Sequence, residues 1–317
     1  MKIFVILILI KLAFAGTQLP PFYHTTDEVE AEVKNILKNC QMKATQKKYG
    51  IIDSITLKPK LDHENKNKAF VIFGEHAREL ISVETGLHFL NQICHTPLDF
   101  KLKLIINMNP TSRRYVERGH YCLRENLNGV DLNRNYGFQW KFKENHFVQD
   151  SSGPEPFSEV ETQTVRDILS SFKPRTFVTV HSGTLAILHP WAFKKEDVVF
   201  AHHHNLRGVK NECVDCLIGG AATQIGYTAS GNSMDYAYGM AKVKRSYTLE
   251  IFEFEKQNQR KEPDSNFAEF LQHKEKVKSE ISNKELFCFD YFNPRSEDQY
   301  NELVAKWSNI ILQLIQS

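Results

Sequence analysis

In Ala69-Phe70-Val71-Ile72-Phe73-Gly74-Glu75-His76-Ala77-Arg78-Glu79, an unbroken apolar run stops at a glycine and gives way to ionisable residues. Five apolar residues in succession, without the alternation of a half-exposed strand, describe a strand buried on both faces. A helical pattern follows from Glu79 to about Cys94, so the segment reads strand, turn, helix. Outward from it, Leu104 to Met108 and Thr176 to Val180 are further buried strands, and Ile51 to Leu57 and Tyr247 to Phe252 are two more. Continuous apolar strands alternating with helices imply an α/β fold whose mixed, mainly parallel central sheet carries helices on both faces.

The remaining helices have start signals of their own. Thr25 or Thr26 can cap the first, Asp27 and Glu28 suit its positive end, and Val29, Val33, Ile36 and Leu37 share one face. Ser158 to Phe172 opens with Ser-Glu-Val-Glu in the manner of a capping box. Ser265 to about Ile281 and Ser296 to Gln316 are late helices. With 317 residues, 41% of them hydrophobic, and no glycine, serine or proline run to divide it, the chain can bury one large core. There is no internal repeat or low-complexity segment.

At the N-terminus Lys2 precedes the apolar run Ile3 to Ile10, and Ala13-Phe14-Ala15 supplies the small-x-small pattern of a cleavage site. Residues 1–15 therefore read as a signal peptide and 16–317 as the mature domain. The run is interrupted by Lys11 and falls short of the ~20 residues needed to span a bilayer, so no stable membrane insertion is expected. A net charge of +2 argues for neither a nucleic-acid surface nor a polybasic membrane patch. Six cysteines suit an oxidising compartment, and the expected destination is secretion or an endomembrane, lysosome-like compartment. Fifteen full pairings are possible. Cys213 and Cys216 read as a local disulfide, since no second pair stands at zinc-ribbon spacing and no thioredoxin-like context surrounds them.

The candidate chemistry collects at strand ends, where sites of α/β folds gather. His76 and Glu79 are three apart at the start of a helix, a spacing that lets an imidazole and a carboxylate meet one ion, although H-x-x-E alone arises often by chance. Val178-Thr179-Val180-His181 delivers a second histidine from another buried strand. Two imidazoles and one carboxylate leave a fourth zinc position open and make a catalytic rather than a structural set. Tyr247-Thr248-Leu249-Glu250 brings a further carboxylate to a strand end, where it can act as general base or merely sit in a salt bridge. Arg124 and Arg134 lie in two arginine-bearing segments, Cys122-Leu123-Arg124 and Gly129 to Asn135, separated by a short polar link. Arginine forks bind a terminal carboxylate bidentately and stabilise an oxyanion.

These segments, in this order, resemble the carboxypeptidase A family of zinc metallocarboxypeptidases, the funnelins of peptidase family M14, from roughly Tyr23 to the C-terminus. The resemblance implies one zinc ion held by His76, Glu79 and His181, with Asp131 orienting His76. It implies Glu250 as base, Arg124 as oxyanion donor, and Asn133 with Arg134 as the clamp on a substrate's C-terminal carboxylate. Arg78 corresponds to a subsidiary substrate-binding arginine and Tyr227 to a mobile tyrosine that closes over substrate. Peptide and protein C-termini are the implied substrates, and a monomer is the expected state. The residue seven after the tyrosine is the family's pocket floor, which is Met234 here. An apolar floor goes with hydrophobic C-terminal residues. A one-residue shift would substitute Asp235 and favour Lys or Arg.

The chain also departs from the family. Asn109-Pro110-Thr111 stands where most members carry Asn-Pro-Asp-Gly, Gly183 replaces a common tyrosine, and Tyr227 to Glu250 is one residue longer, an insertion expected near Ala241 to Lys244. Two other readings remain: a zinc amidohydrolase acting on a small acylated amino acid, and an inactive binding protein that kept the fold. No inhibitory pro-domain is expected, because the family-like helix begins about ten residues after the cleavage point. His202-His203-His204 reads as a solvated helix face, and Glu253 and Glu255 receive no role.

Overall fold

The apolar run is β3 (Lys68–Phe73), in a computed structural model that describes residues 19–60, 67–145, 149–196, 198, 203–254 and 281–316. Phe70 and Ile72 face one hydrophobic layer while Val71 and Phe73 face the other, which is why the run is apolar at every position. The signal-peptide reading, the helix from Ser265, His202 and Glu255 lie outside the described residues.

Among the described residues eight strands form one mixed sheet: β1 (Lys43–Tyr49), β2 (Ile52–Lys58), β3, β4 (Lys101–Ile105), β5 (Thr176–His181), β6 (Leu185–His189), β7 (Leu217–Gly220) and β8 (Arg245–Ile251). Their spatial order is β1-β2-β4-β3-β5-β8-β6-β7. The central run β4-β3-β5-β8 is parallel throughout, and β6 pairs with β7 in parallel too. The antiparallel pairs are β1 with β2, β2 with β4 and β6 with β8. On one face pack α1 (Thr26–Lys38), α2 (Leu80–His95) and α9 (Glu297–Gln316), and on the other α4 (Val160–Phe172). The shorter helices are α3 (Pro110–Val116), α5 (His203–Glu212), α6 (Ala221–Ile225), α7 (Ser233–Gly239) and α8 (Ile281–Phe292).

Several boundaries differ from the sequence expectation, each for a physical reason. Strand β4 covers residues 101–105 rather than Leu104 to Met108. Ile106 and Met108 leave the ladder yet stay buried, so their apolarity reports burial rather than pairing. Strand β1 has no apolar face to announce it; Lys43, Lys47 and Lys48 protect an exposed edge. The predicted capping box of α4 is absent, because Ser158 accepts from Asn135 and donates to Glu159 instead of capping. Helix α1 does carry one, in which Thr25 and Glu28 bond reciprocally.

Three disulfides join the described cysteines: Cys40–Cys94 ties the end of α1 to α2, Cys122–Cys288 ties the Arg124 segment to α8, and Cys213–Cys216 is local. No helix among the described residues is long and apolar enough to cross a membrane.

Candidate active site

Strands β3, β5 and β8 are parallel neighbours, so their carboxyl ends share one edge, and His181 stands directly opposite Glu250 in the register. After β3 the chain turns at Gly74, whose φ is +69° and where a Cβ would come within 2.7 Å of Val83. Only glycine suits that position. The turn brings His76 and Glu79 beside His181. His76 Nδ1 lies 2.7 Å from Glu79 Oε1, His181 Nδ1 3.0 Å from Glu79 Oε2, and the two Nδ1 atoms 3.1 Å apart.

Both outer imidazole nitrogens are already engaged. His76 Nε2 faces Asp131 Oδ1 at 3.0 Å, and His181 Nε2 faces Glu75 Oε2 at 3.0 Å. Holding Nε2–H on a carboxylate leaves each Nδ1 lone pair turned toward the shared centre, with Glu79 as the third donor. Among the described residues His76, Glu79 and His181 are the cluster whose donor atoms all lie close enough to hold a metal ion. The donor set and its orientation fit zinc.

The electrostatics follow from crowding in a buried space. Burial opposes ionisation of Glu79, but the charges of His76 and His181 overcome it and hold its carboxyl far below the usual range. Burial likewise works against a charged His181, yet Glu79 and Glu75 push the imidazole up to about 10. Glu250 goes the other way: burial first, then the Glu79 charge, raise it to about 8 against the pull of His181, Arg124 and Arg78.

The residues expected to hold substrate line the same cavity of about 350 Å³. Arg124 binds Asp131 through Nε and Nη2 at 2.8 Å, and its Nη1 lies 3.2 Å from His76 Nδ1. Asn133 accepts from the Ser233 backbone N–H at 2.9 Å, and Arg134 pairs through Nε with Asp150 at 2.9 Å. Arg78 is buried with its guanidinium 4.1 Å from the Phe292 ring centroid. Burial, then repulsion from Arg124, brings its pKa down to about 9. Tyr227 is 52% exposed at the rim. Met234 lines the cavity, with Leu188, Ala192, Ala221, Ile225 and Ala229 around it. Asp235 does not line it; its carboxylate accepts from the Ala192 and Phe193 backbone N–H groups and from Asn232. A more open hollow of about 710 Å³ beside α1 contains none of the donor residues.

Sequence reasoning missed Glu75, Asp150 and the wall formed by Tyr291 and Phe292. Glu75 carried a readable signal, an acid beside a histidine at a strand end. The wall did not, because α8 is remote in the chain from every site motif. Gly183 leaves room for Phe292: a Cβ there would meet its ring at 2.8 Å.

An α/β sheet with two histidines and a glutamate at its carboxyl edge, and arginines over the same cavity, defines a metallohydrolase by class. The chain belongs to the zinc carboxypeptidase family, peptidase M14, whose model matches residues 23–280. That is a family of zinc-dependent peptide hydrolases. The chain is 26% identical to carboxypeptidase B of Astacus astacus over 265 residues, covering 72% of this chain and 86% of that one. To zinc carboxypeptidase A 1 of Anopheles gambiae it is 29% identical over 211 residues, 57% of this chain and 48% of that one. The chain thus spans about half the length of the mosquito relative. The bovine thrombin-activatable fibrinolysis inhibitor, solved in complex with a tick carboxypeptidase inhibitor, superposes with a TM-score of 0.70 at 16% identity, covering 93% and 96% of the two chains. Carboxypeptidase A of Helicoverpa armigera superposes at 0.65 with 17% identity, covering 90% and 73%. These superpositions speak for the fold.

Proposed function

We propose that the protein is a secreted metallocarboxypeptidase that hydrolyses the last peptide bond of peptides and proteins and prefers hydrophobic C-terminal residues. The reading takes residues 16–317 as the catalytic domain. His76, Glu79 and His181 would hold the zinc ion, which when bound supplies Lewis acidity, lowering the pKa of a water and polarising the scissile carbonyl.

The chain's own residues supply the rest. Asn133 and Arg134 receive the substrate's terminal carboxylate, with Tyr227 closing from the rim. Arg78 and Arg124 both line the cavity, and Arg124 is suited to the oxygen that gains charge as the carbonyl becomes tetrahedral. Glu250 takes the proton from the attacking water and passes it to the departing amine. Burial makes its carboxylate a stronger base than an exposed one, which suits this transfer near neutral pH.

The observation that carries the specificity is the floor. Met234 and its neighbours Leu188, Ala192 and Ala221 offer no charge, while the nearby Asp235 carboxylate is spent on backbone amides. A buried ammonium or carboxylate on the substrate would lose several kcal/mol of solvation without compensation. The test compares kcat/KM for peptides ending in Phe, Leu, Lys and Glu, each with an amidated counterpart and with and without chelator. Phe or Leu should lead, amidation should abolish turnover, and chelation should stop it. A Lys preference would overturn the apolar floor, and turnover of amidated peptides would overturn the carboxylate clamp.

A further inference from the structure

Glu75 is fully buried, and among the described residues the groups that bond to its carboxylate are one imidazole and three hydroxyls. Oε2 lies 3.0 Å from His181 Nε2, 3.0 Å from Thr179 Oγ1 and 3.2 Å from Ser233 Oγ, while Oε1 accepts from the Tyr136 hydroxyl at 2.9 Å. Neither an arginine nor a lysine is among these partners. A buried carboxylate so surrounded is costly unless a nearby positive charge compensates it. Of the groups bonded to it, His181 is the one that can carry positive charge, and the other ring nitrogen of His181 faces His76 and Glu79.

We propose that Glu75 is a positioning residue for the zinc site: it accepts the Nε2–H of His181, fixes that tautomer and aims the Nδ1 lone pair at the metal. It would do for His181 what Asp131 does for His76, so that both imidazole ligands are anchored by carboxylates. The same cluster reaches the substrate side. Ser233, which contacts Glu75 through its hydroxyl, donates its backbone N–H to Asn133 Oδ1. The metal ligand and the carboxylate clamp therefore share one hydrogen-bonded support.

This inference rests on the zinc reading above, and the experiment separates the two. Zinc affinity is measured by chelator competition on the wild type, Glu75→Gln, Glu75→Asp and Tyr136→Phe, with thermal unfolding and the visible spectrum of the cobalt-substituted protein recorded in parallel. Glutamine keeps the shape but removes the anion; aspartate keeps the anion but shortens its reach. Both should raise the zinc dissociation constant by about 10- to 100-fold and alter the cobalt spectrum. Tyr136→Phe removes a hydroxyl from the oxygen remote from His181, so it should lower the unfolding temperature while changing zinc affinity less than threefold. Wild-type affinity in either folded Glu75 variant overturns the proposal. So does an equal loss in Tyr136→Phe, or failure of both Glu75 variants to fold with zinc present, since either result makes the cluster's role purely structural. A wild-type protein that binds no zinc would instead sink the metallopeptidase reading itself.

Discussion

His76, Glu79 and Glu250 line the cavity, and with Glu75, Asp131 and His181 they form a polar cluster in which each is within reach of another ionisable group. Leu188, Ala192, Ala221, Ile225, Ala229 and Met234 line the same cavity and present no charge. The two regions answer to different physics. In the polar cluster every group compensates another, so removing one strands its partner in a low-dielectric setting. The apolar floor works through contact area and shape, which change by degrees. Substitutions in the first region should act almost as switches, and those in the second should grade specificity.

The largest effect is expected at His76. Replacement by alanine leaves two zinc ligands and removes one of the partners of Asp131, so bound zinc and chelator-sensitive turnover should both vanish. Metal analysis after dialysis decides it, and full stoichiometry would take His76 out of the site. Next comes Glu250→Gln, which keeps the side chain's shape but cannot accept a proton. Zinc should stay bound while kcat falls by about 10²- to 10⁴-fold. Near-native kcat would end its assignment as base and weaken the contrast between the two regions.

The pH profile sharpens the same point. Glu250 must be ionised to act, so activity should fall as pH falls through its pKa. Burial raises that pKa to about 8 in the protein without metal, and a bound dication, favouring the carboxylate, draws it down again. The acid limb of kcat/KM should therefore lie between the ordinary carboxylate value of 4.5 and about 8. A limb below 4.5 would mean that burial does not govern this group.

The smallest change is expected at the floor. Met234→Ala deepens the pocket by a few heavy atoms without adding charge. It should shift the Phe-to-Leu ratio of kcat/KM toward Phe by about tenfold while leaving zinc content intact. Loss of metal in that variant would show that the floor and the donor cluster are not separable.

Much of this is legible in the sequence. The five-residue apolar run before Gly74 announced a doubly covered strand because each face of β3 meets a hydrophobic layer. The donors were legible because they stand at the ends of such strands, where topology forces side chains onto one edge. Strand β1 was not legible, since an exposed edge strand needs no apolar pattern, and the end of β4 was misplaced because burial outlasts pairing at Ile106 and Met108.

By itself the sequence determined the layered α/β plan, the identity of His76, Glu79, His181 and Glu250 as the candidate chemistry, and their attachment to strand ends, because these follow from local periodicity and spacing. Tertiary structure alone decided which nitrogen of each histidine faces the centre, that Glu75 backs His181, and that Phe292 of α8 fills the space Gly183 leaves. It also placed Met234 in the cavity and turned Asp235 toward backbone amides. Such facts depend on which side chains meet after segments far apart in the chain have packed, and no local pattern encodes that meeting.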